Sequence, residues 1–203
     1  MTKLYLVRHG ETAFNSSQRL WGHTDVELSN LGIKQAERLR DRIALEKISF
    51  VYSSDLSRAI VTAQIIASKH KLEVMRCSEL REFNYGKVEG WTLEEVIKNY
   101  PQYYNYLIDR GPHFSFPGGE TPNELGARVG KFISKLKKYK PGGNLLVVVH
   151  SGVLRVIICK LMGIGIRHIY KFIPSLASIS ILEYRDTIAV LNLFNDTSHL
   201  NGL

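Results

Sequence analysis

Apolar residues follow two patterns along this chain. In Lys3-Leu4-Tyr5-Leu6-Val7-Arg8 and Asn144-Leu145-Leu146-Val147-Val148-Val149 they run on without alternating, which predicts strands buried on both faces. Residues 50–53 and 72–75 are shorter runs of the same kind. Elsewhere the apolar positions recur at helical spacing. Leu31, Ala36, Leu39, Ile43 and Leu45 follow a Ser29 cap, and Ile60, Ala63, Ile65, Ile66 and Ala67 mark a helix from about Leu56 to Lys69. Thr121-Pro122-Asn123-Glu124 is a capping box with proline at the first helical position, and opens a helix to about Lys138. A further helix is predicted over Val153–Met162. Thr92 and Glu95 have capping-box spacing, and Pro101 opens a second helical piece with Tyr103, Tyr104, Tyr106 and Leu107. Residues 179–184 and 188–193 predict a hairpin joined at Arg185-Asp186-Thr187.

Alternating strands and helices predict an α/β fold, a three-layer α/β/α arrangement with a mainly parallel central sheet. One antiparallel edge strand and a small helical cap insertion complete the expectation. The 203 residues suit one domain, 1–203, with residues 80–120 as a cap or wall over the sheet edge. Residues 9–29 form a long polar loop, and a loop of that length is usually functional.

Composition narrows the class. No apolar run is long enough to span a bilayer, and Met1-Thr2-Lys3 leads into the first strand without a signal-peptide pattern, so the expected location is cytoplasmic. Cys77 and Cys159 lack a partner motif and read as two lone thiols, with a disulfide as the alternative. The net charge of +8 favours anionic partners: nucleic acid, acidic membrane or a phosphorylated small molecule. The densest basic cluster, Lys131, Lys135, Lys137, Lys138 and Lys140, reads as a solvated helix face without the aromatic interleaving of nucleic-acid binders. The partner expected is therefore a small phosphorylated substrate, with neither nucleic acid nor membrane, on a monomer or homodimer.

Two of the strong strands end in histidine, at Arg8-His9-Gly10 and Val149-His150-Ser151. In one parallel sheet both imidazoles emerge at the same edge, where ligand sites of α/β sheets lie. The loop Asp55-Leu56-Ser57-Arg58, after the third strand run, reaches that edge too. Two guanidiniums and an imidazole match a phosphoryl group, and a second imidazole can attack phosphorus. Neighbouring cations would keep that imidazole neutral. The leaving oxygen needs a proton, so a carboxylic acid belongs nearby. A zinc site of His9, His150 and a glutamate is the competing reading, opposed by the two arginines.

These residues resemble the histidine phosphatase superfamily, in its phosphoglycerate mutase-like branch. The resemblance rests on Leu6-Val7-Arg8-His9-Gly10-Glu11-Thr12 with Asn15, Gly22-His23-Thr24-Asp25 with Leu28-Ser29 and Gly32, and Ser53-Ser54-Asp55-Leu56-Ser57-Arg58-Ala59. Leu80-Arg81-Glu82 with Gly86 and Glu89-Gly90, Val149-His150-Ser151-Gly152, and a C-terminal Asn195-Asp196-Thr197-Ser198-His199-Leu200 extend it. It implies that His9 is the phosphorylated nucleophile and that Arg8, Arg58 and His150 bind the phosphoryl group with help from Asn15. It makes Glu82 the general acid and then the base that activates water. Glu11 and His23 fall in the same active-site loop. No cofactor or metal is implied.

The resemblance further implies a metal-independent phosphomonoester phosphatase (a histidine acid-type hydrolase), with cofactor-dependent phosphoglycerate mutase as the alternative. The chain lacks the mutases' long basic insertion. Phe83 follows Glu82 where mutases often have arginine, and Trp21 stands where they carry a small hydroxyl residue. Trp21, Phe83, Tyr85 and Tyr103 are expected to form an apolar wall for a bulkier substrate. Residues 80–100 and 117–121 also resemble α-ribazole phosphatases, which makes α-ribazole 5′-phosphate a candidate substrate. Ser151, after the second histidine, replaces a glycine common among relatives and is expected at the phosphate.

Overall fold

The computed structural model describes residues 2–14, 19–104, 111–136, 143–185 and 188–203. Its strands are β1 (Thr2–Arg8), β2 (Ile48–Ser53), β3 (Val74–Arg76), β4 (Asn144–Val149), β5 (Ile179–Arg185) and β6 (Ile188–Asp196). They form one sheet in the order β3-β2-β4-β1-β5-β6. Neighbours from β3 to β1 pair in parallel, while β5 runs antiparallel to both β1 and β6. The sheet is thus mostly parallel, with its antiparallel strand at one edge and hairpin partner β6 outside it.

The continuous apolar runs are explained by burial on both sides. Leu4, Leu6, Leu145, Val147 and Val149 point to one face, under α4 (Pro122–Leu136) and α5 (Ser151–Leu161). Tyr5, Val7, Leu146 and Val148 point to the other, under α1 (Asn30–Ile43) and α2 (Ser57–His70). At about 25 cal/mol per Å² of apolar surface, this double burial is the main force holding the layers together.

The helix signals hold with some shifts of boundary. Ser29 Oγ accepts from the Gly32 amide at 3.0 Å and caps α1. Ala36, Leu39 and Ile43 are its buried stripe. Leu31 lies about 140° round the helix from Ala36, at 100° per residue, and Leu45 lies beyond the last turn, so both face solvent. The third strand begins at Val74, later than expected, because Leu72 donates its amide to Ala67 O and so closes α2 behind the left-handed Lys71. Helix α5 starts at Ser151, immediately after His150, two residues earlier than its apolar spacing predicts. Pro101–Tyr103 is a single 3₁₀ turn; Tyr106, Leu107, Lys137, Lys138 and Lys140 lie outside the described residues. Lys135 pairs with Glu79.

Over the sheet edge, α3 (Leu93–Asn99) starts at the expected capping box, with reciprocal Thr92 and Glu95 bonds. It packs its Val96 with Val88 and Phe116 into a small cluster ringed by aromatics. Leu20 and Gly90 clip this layer to the first loop through amide bonds of 2.9 and 2.8 Å. Cys77 and Cys159 are both free. No described helix is long and apolar enough to cross a membrane.

Candidate active site

β1 and β4 lie side by side with Arg8 opposite Val149, so His9 and His150 leave the sheet together. Their ring centroids are 5.0 Å apart. Both are buried, and their hydrogen bonds set opposite tautomers. His9 Nδ1 lies 2.7 Å from Gly10 O; a carbonyl only accepts, so the proton is on Nδ1 and Nε2 keeps its lone pair. Arg58 Nε donates to His150 Nδ1 at 3.2 Å; a guanidinium only donates, so the proton of His150 is on Nε2. That buried Nε2 has no partner among the described residues. Burial first, then Arg8 and Arg58, hold the pKa of His9 well below 6.5; burial and Arg58 do the same to His150. Both rings are neutral at pH 7.

Arg58 sits at the start of α2 with almost no exposure. Besides His150 it donates to Thr24 O at 3.0 Å and Gly22 O at 2.7 Å. Three of its five N–H groups are thus tied to protein, leaving two for a ligand. The loop supplying those carbonyls is held by Glu89, whose carboxylate accepts from the amides of His23 (2.7 Å) and Thr24 (2.6 Å). Asp25 accepts from the Ser57 amide at 2.8 Å and caps α2 from outside. A Cβ on Gly22 would come within 2.2 Å of Phe83 O, which accounts for glycine at that close approach. Arg8 spends one donor on Pro174 O at 2.8 Å; its buried Nε has no partner among the described residues.

Glu82 is buried beside this group. Its Oε1 accepts from the amides of Phe83 (2.8 Å) and Gly152 (3.0 Å). The adjacent Arg81 makes a bidentate pair with Asp55. The backbone of Glu82 is fixed by Arg128, which donates to Glu79 O at 2.8 Å and Glu82 O at 2.7 Å while pairing with Glu120.

Arg8, His9, Arg58, Glu82, Ser151 and Trp21 all line one cavity of about 620 Å³. His150 lies behind it, fully buried against Arg58. Asn15 lies outside the described residues. Phe83 and Tyr85 line the cavity as an apolar wall, but Tyr103 does not: it packs edge-on to Phe114 and Phe116 in the cap cluster, and Tyr104 reaches the cavity in its place. Glu11 and His23 are not lining residues. The Glu11 carboxylate accepts from Ser29 Oγ at 2.8 Å and so ties the loop to α1. Among the described residues no three His, Cys, Asp or Glu side chains are grouped to hold a metal ion.

Sequence reading missed Arg128, Pro174 and Arg155, and quoted Glu89 without giving it a role. Arg155 had a signal, because it follows Ser151 by four residues on α5 and so shares its face. It lines the cavity with its guanidinium 6.0 Å from the Tyr170 ring. Arg128 and Pro174 act through backbone carbonyls, which leave no trace in residue spacing.

The chain is similar in sequence and in fold to known proteins. The chain is 40% identical over 156 residues (75% of this chain, 68% of the relative) to phosphoglycerate mutase-like protein 4 of Arabidopsis thaliana. It is 32% identical over 200 residues (98% of this chain, 95% of the relative) to phosphoserine phosphatase 1 of Hydrogenobacter thermophilus. The solved alpha-ribazole phosphatase of Shigella flexneri superposes with a TM-score of 0.89 at 29% identity, over 96% of each chain. Residues 4–197 match the model of the histidine phosphatase superfamily (branch 1), and the chain belongs to that superfamily.

Proposed function

We propose that this protein is a phosphomonoester phosphatase that works through a phosphohistidine at His9. The observation that carries the reading is the pair of opposed tautomers. His9, which lines the cavity between Arg8 and Arg58, keeps a lone pair, and His150 packs behind it with an N–H that has no partner among the described residues. Arg8, Arg58 and the His150 N–H hold the phosphoryl oxygens and stabilise the charge spread over them in transfer. His9 Nε2 attacks phosphorus as the ester P–O bond breaks, and protonated Glu82 gives its proton to the leaving oxygen. Glu82, now a carboxylate, takes a proton from water as that water attacks phosphorus and the P–N bond breaks. Phosphate leaves, with Glu82 protonated again. Both steps run on protein groups alone, so no metal or cofactor enters.

Beyond the phosphoryl ligands the cavity is lined by the rings of Trp21, Phe83, Tyr85 and Phe116, with the guanidiniums of Arg19 and Arg155 among them. Glu82 is the one carboxylate among the described lining residues, so a substrate ammonium would have no other anionic partner. This favours an alcohol with a bulky aromatic body. α-Ribazole 5′-phosphate is the candidate, in keeping with the Shigella flexneri structure's name. Against the mutase alternative stand the rings of Phe83 and Trp21; Arg19 and Arg155 are two further cations that a small polyanion could use, so the 3-phosphoglycerate assay decides between the two readings.

The test is hydrolysis of p-nitrophenyl phosphate at mildly acid pH in EDTA, inhibited by vanadate, followed by a panel with α-ribazole 5′-phosphate, O-phosphoserine and 3-phosphoglycerate. His9→Ala should lose activity by at least a thousandfold and form no acid-labile phosphoenzyme. Substantial turnover by that variant would overturn the nucleophile. Isomerisation of 3-phosphoglycerate outpacing phosphate release, with a bisphosphoglycerate primer, would establish the mutase instead.

A further inference from the structure

We propose that Asn195 and His199, near the C-terminus and remote from the cavity lining, are positioning residues that set where Arg8 and His9 are presented. The proposal rests on the reading of Arg8 as a phosphoryl ligand.

The link is the segment Pro174–Ser178, which underlies the end of β1. Pro174 O accepts from Arg8 Nη1 at 2.8 Å, Ser178 O from the Arg8 amide at 3.2 Å, and the Ala177 amide donates to His9 O at 3.0 Å. One short segment thus holds the backbone of both residues and the guanidinium of one. Pro174 and its neighbour Ile173 also line the cavity.

Within itself the segment has one backbone bond, from the Ser178 amide to Ser175 O at 3.3 Å. Ala177 has a φ of +52°, a left-handed conformation that costs a non-glycine residue about 1 kcal/mol or more. It is retained by bonds from β6 and the turn after it. Asn195 Oδ1 accepts from the Ser175 amide at 2.6 Å, and its Nδ2 donates to Ser175 Oγ at 3.2 Å. His199 Nε2 donates to Ala177 O at 3.0 Å. Asn195 can reach Ser175 because β6 bulges there. Ile179 pairs with Asp196 and Ile181 with Leu193, so Ser180 alone faces Phe194 and Asn195. Asn195 takes the left-handed place in the bulge, at φ +59°, and its amide donates to Ser180 Oγ at 3.1 Å. Bulges beside active sites re-aim side chains, and asparagine tolerates this conformation better than other non-glycine residues.

The experiment compares deletion with conservative replacement in the full chain, reading vanadate inhibition, kcat/KM for p-nitrophenyl phosphate, and Tm. Asn195→Gly keeps the backbone conformation and removes the amide; His199→Leu removes the donor. Each should raise the vanadate inhibition constant about tenfold and lower kcat/KM by about ten- to fiftyfold, as expected for a ligand displaced by a fraction of an ångström. Asn195→Asp keeps the acceptor for the Ser175 amide, and His199→Gln keeps an N–H for Ala177 O; both should recover most of the loss. In an Arg8→Gln background the deletions should add clearly less than their full tenfold to the inhibition constant, because part of their effect runs through Arg8 and the rest through His9. Should Asn195→Gly fail to fold, His199→Leu carries the same readout. An inhibition constant within twofold of wild type in the deletions, whatever happens to Tm, would overturn the proposal. So would full additivity with Arg8→Gln. Failure of the phosphatase reading looks different: the wild-type protein would then neither turn over the ester nor bind vanadate.

Discussion

The floor and the wall of the cavity are built on different physics. On the floor, Arg58 has three donors committed, each imidazole has one nitrogen committed, and Glu82 accepts two amides. Directional bonds there fix atoms to fractions of an ångström. The wall is Trp21, Phe83, Tyr85 and their neighbours, held by ring packing such as the 5.2 Å contacts of Phe83 with Tyr85 and of Trp21 with Phe14. Packing of that kind excludes water and sets size, and it tolerates exchange of shape far better than a hydrogen-bonded pocket does. On the proposed phosphatase reading, the floor carries the reaction and the wall chooses among alcohols.

The sharpest way to break this division is to disturb the floor without touching charge. The Gly152 amide donates to Glu82, and a Cβ at Gly152 would come within 2.6 Å of Glu82 Oε1. Gly152→Ala should therefore displace the carboxyl and lower kcat by about a hundredfold, within the range a general acid contributes. Because protonation matters only while a P–O bond to a poor leaving group is breaking, alkyl phosphates should suffer more than p-nitrophenyl phosphate. Equal losses on the two esters would show that Glu82 is not the proton donor.

The wall should respond to substrate and not to chemistry. Trp21→Ala opens space above the phosphoryl pocket and removes a large apolar contact. The expected result is a rise in KM of about tenfold for a bulky aromatic ester, the equivalent of roughly 1.4 kcal/mol, with kcat for a small alkyl phosphate within twofold of wild type. Matching losses on both substrates would place Trp21 on the floor.

The same division explains what could be read from the chain beforehand. Strands were legible because double burial imposes unbroken apolar runs, and two of them end on the histidines that meet at the sheet edge. Arg58 was legible because a short strand delivers its loop to that edge. Glu82 was not legible from spacing: its place depends on how residues 78–92 turn over the sheet, and only the family resemblance supplied it. Tyr103 was misplaced because an aromatic beside a pocket and an aromatic in a small cluster carry the same sequence signal. Arg128, Pro174 and Asn195 act on backbone groups or through a bulge, and neither has a periodicity.

Stability also separates floor from wall. The pKa values of folded His9 and His150 lie well below 6.5, chiefly through burial, while in the unfolded chain both return near 6.5. Below pH 6.5 the unfolded chain therefore binds protons that the folded one refuses. Stability should be level above that point and fall as the pH drops beneath it, down toward the folded values, by up to about 1.4 kcal/mol per pH unit for each histidine. The wall adds nothing in this window: Trp21 and Phe83 do not titrate, and burial pushes the Tyr85 phenol further up, away from it. Urea midpoints measured from pH 7.5 to 5 should thus show a decline that becomes shallower in His150→Gln and keeps its slope in Trp21→Ala. Burial also lowers the pKa values of His23, His70 and His199, which share in the decline, so the deciding comparison is His150→Gln: a slope unchanged in that variant would mean that the His150 imidazole is not held neutral.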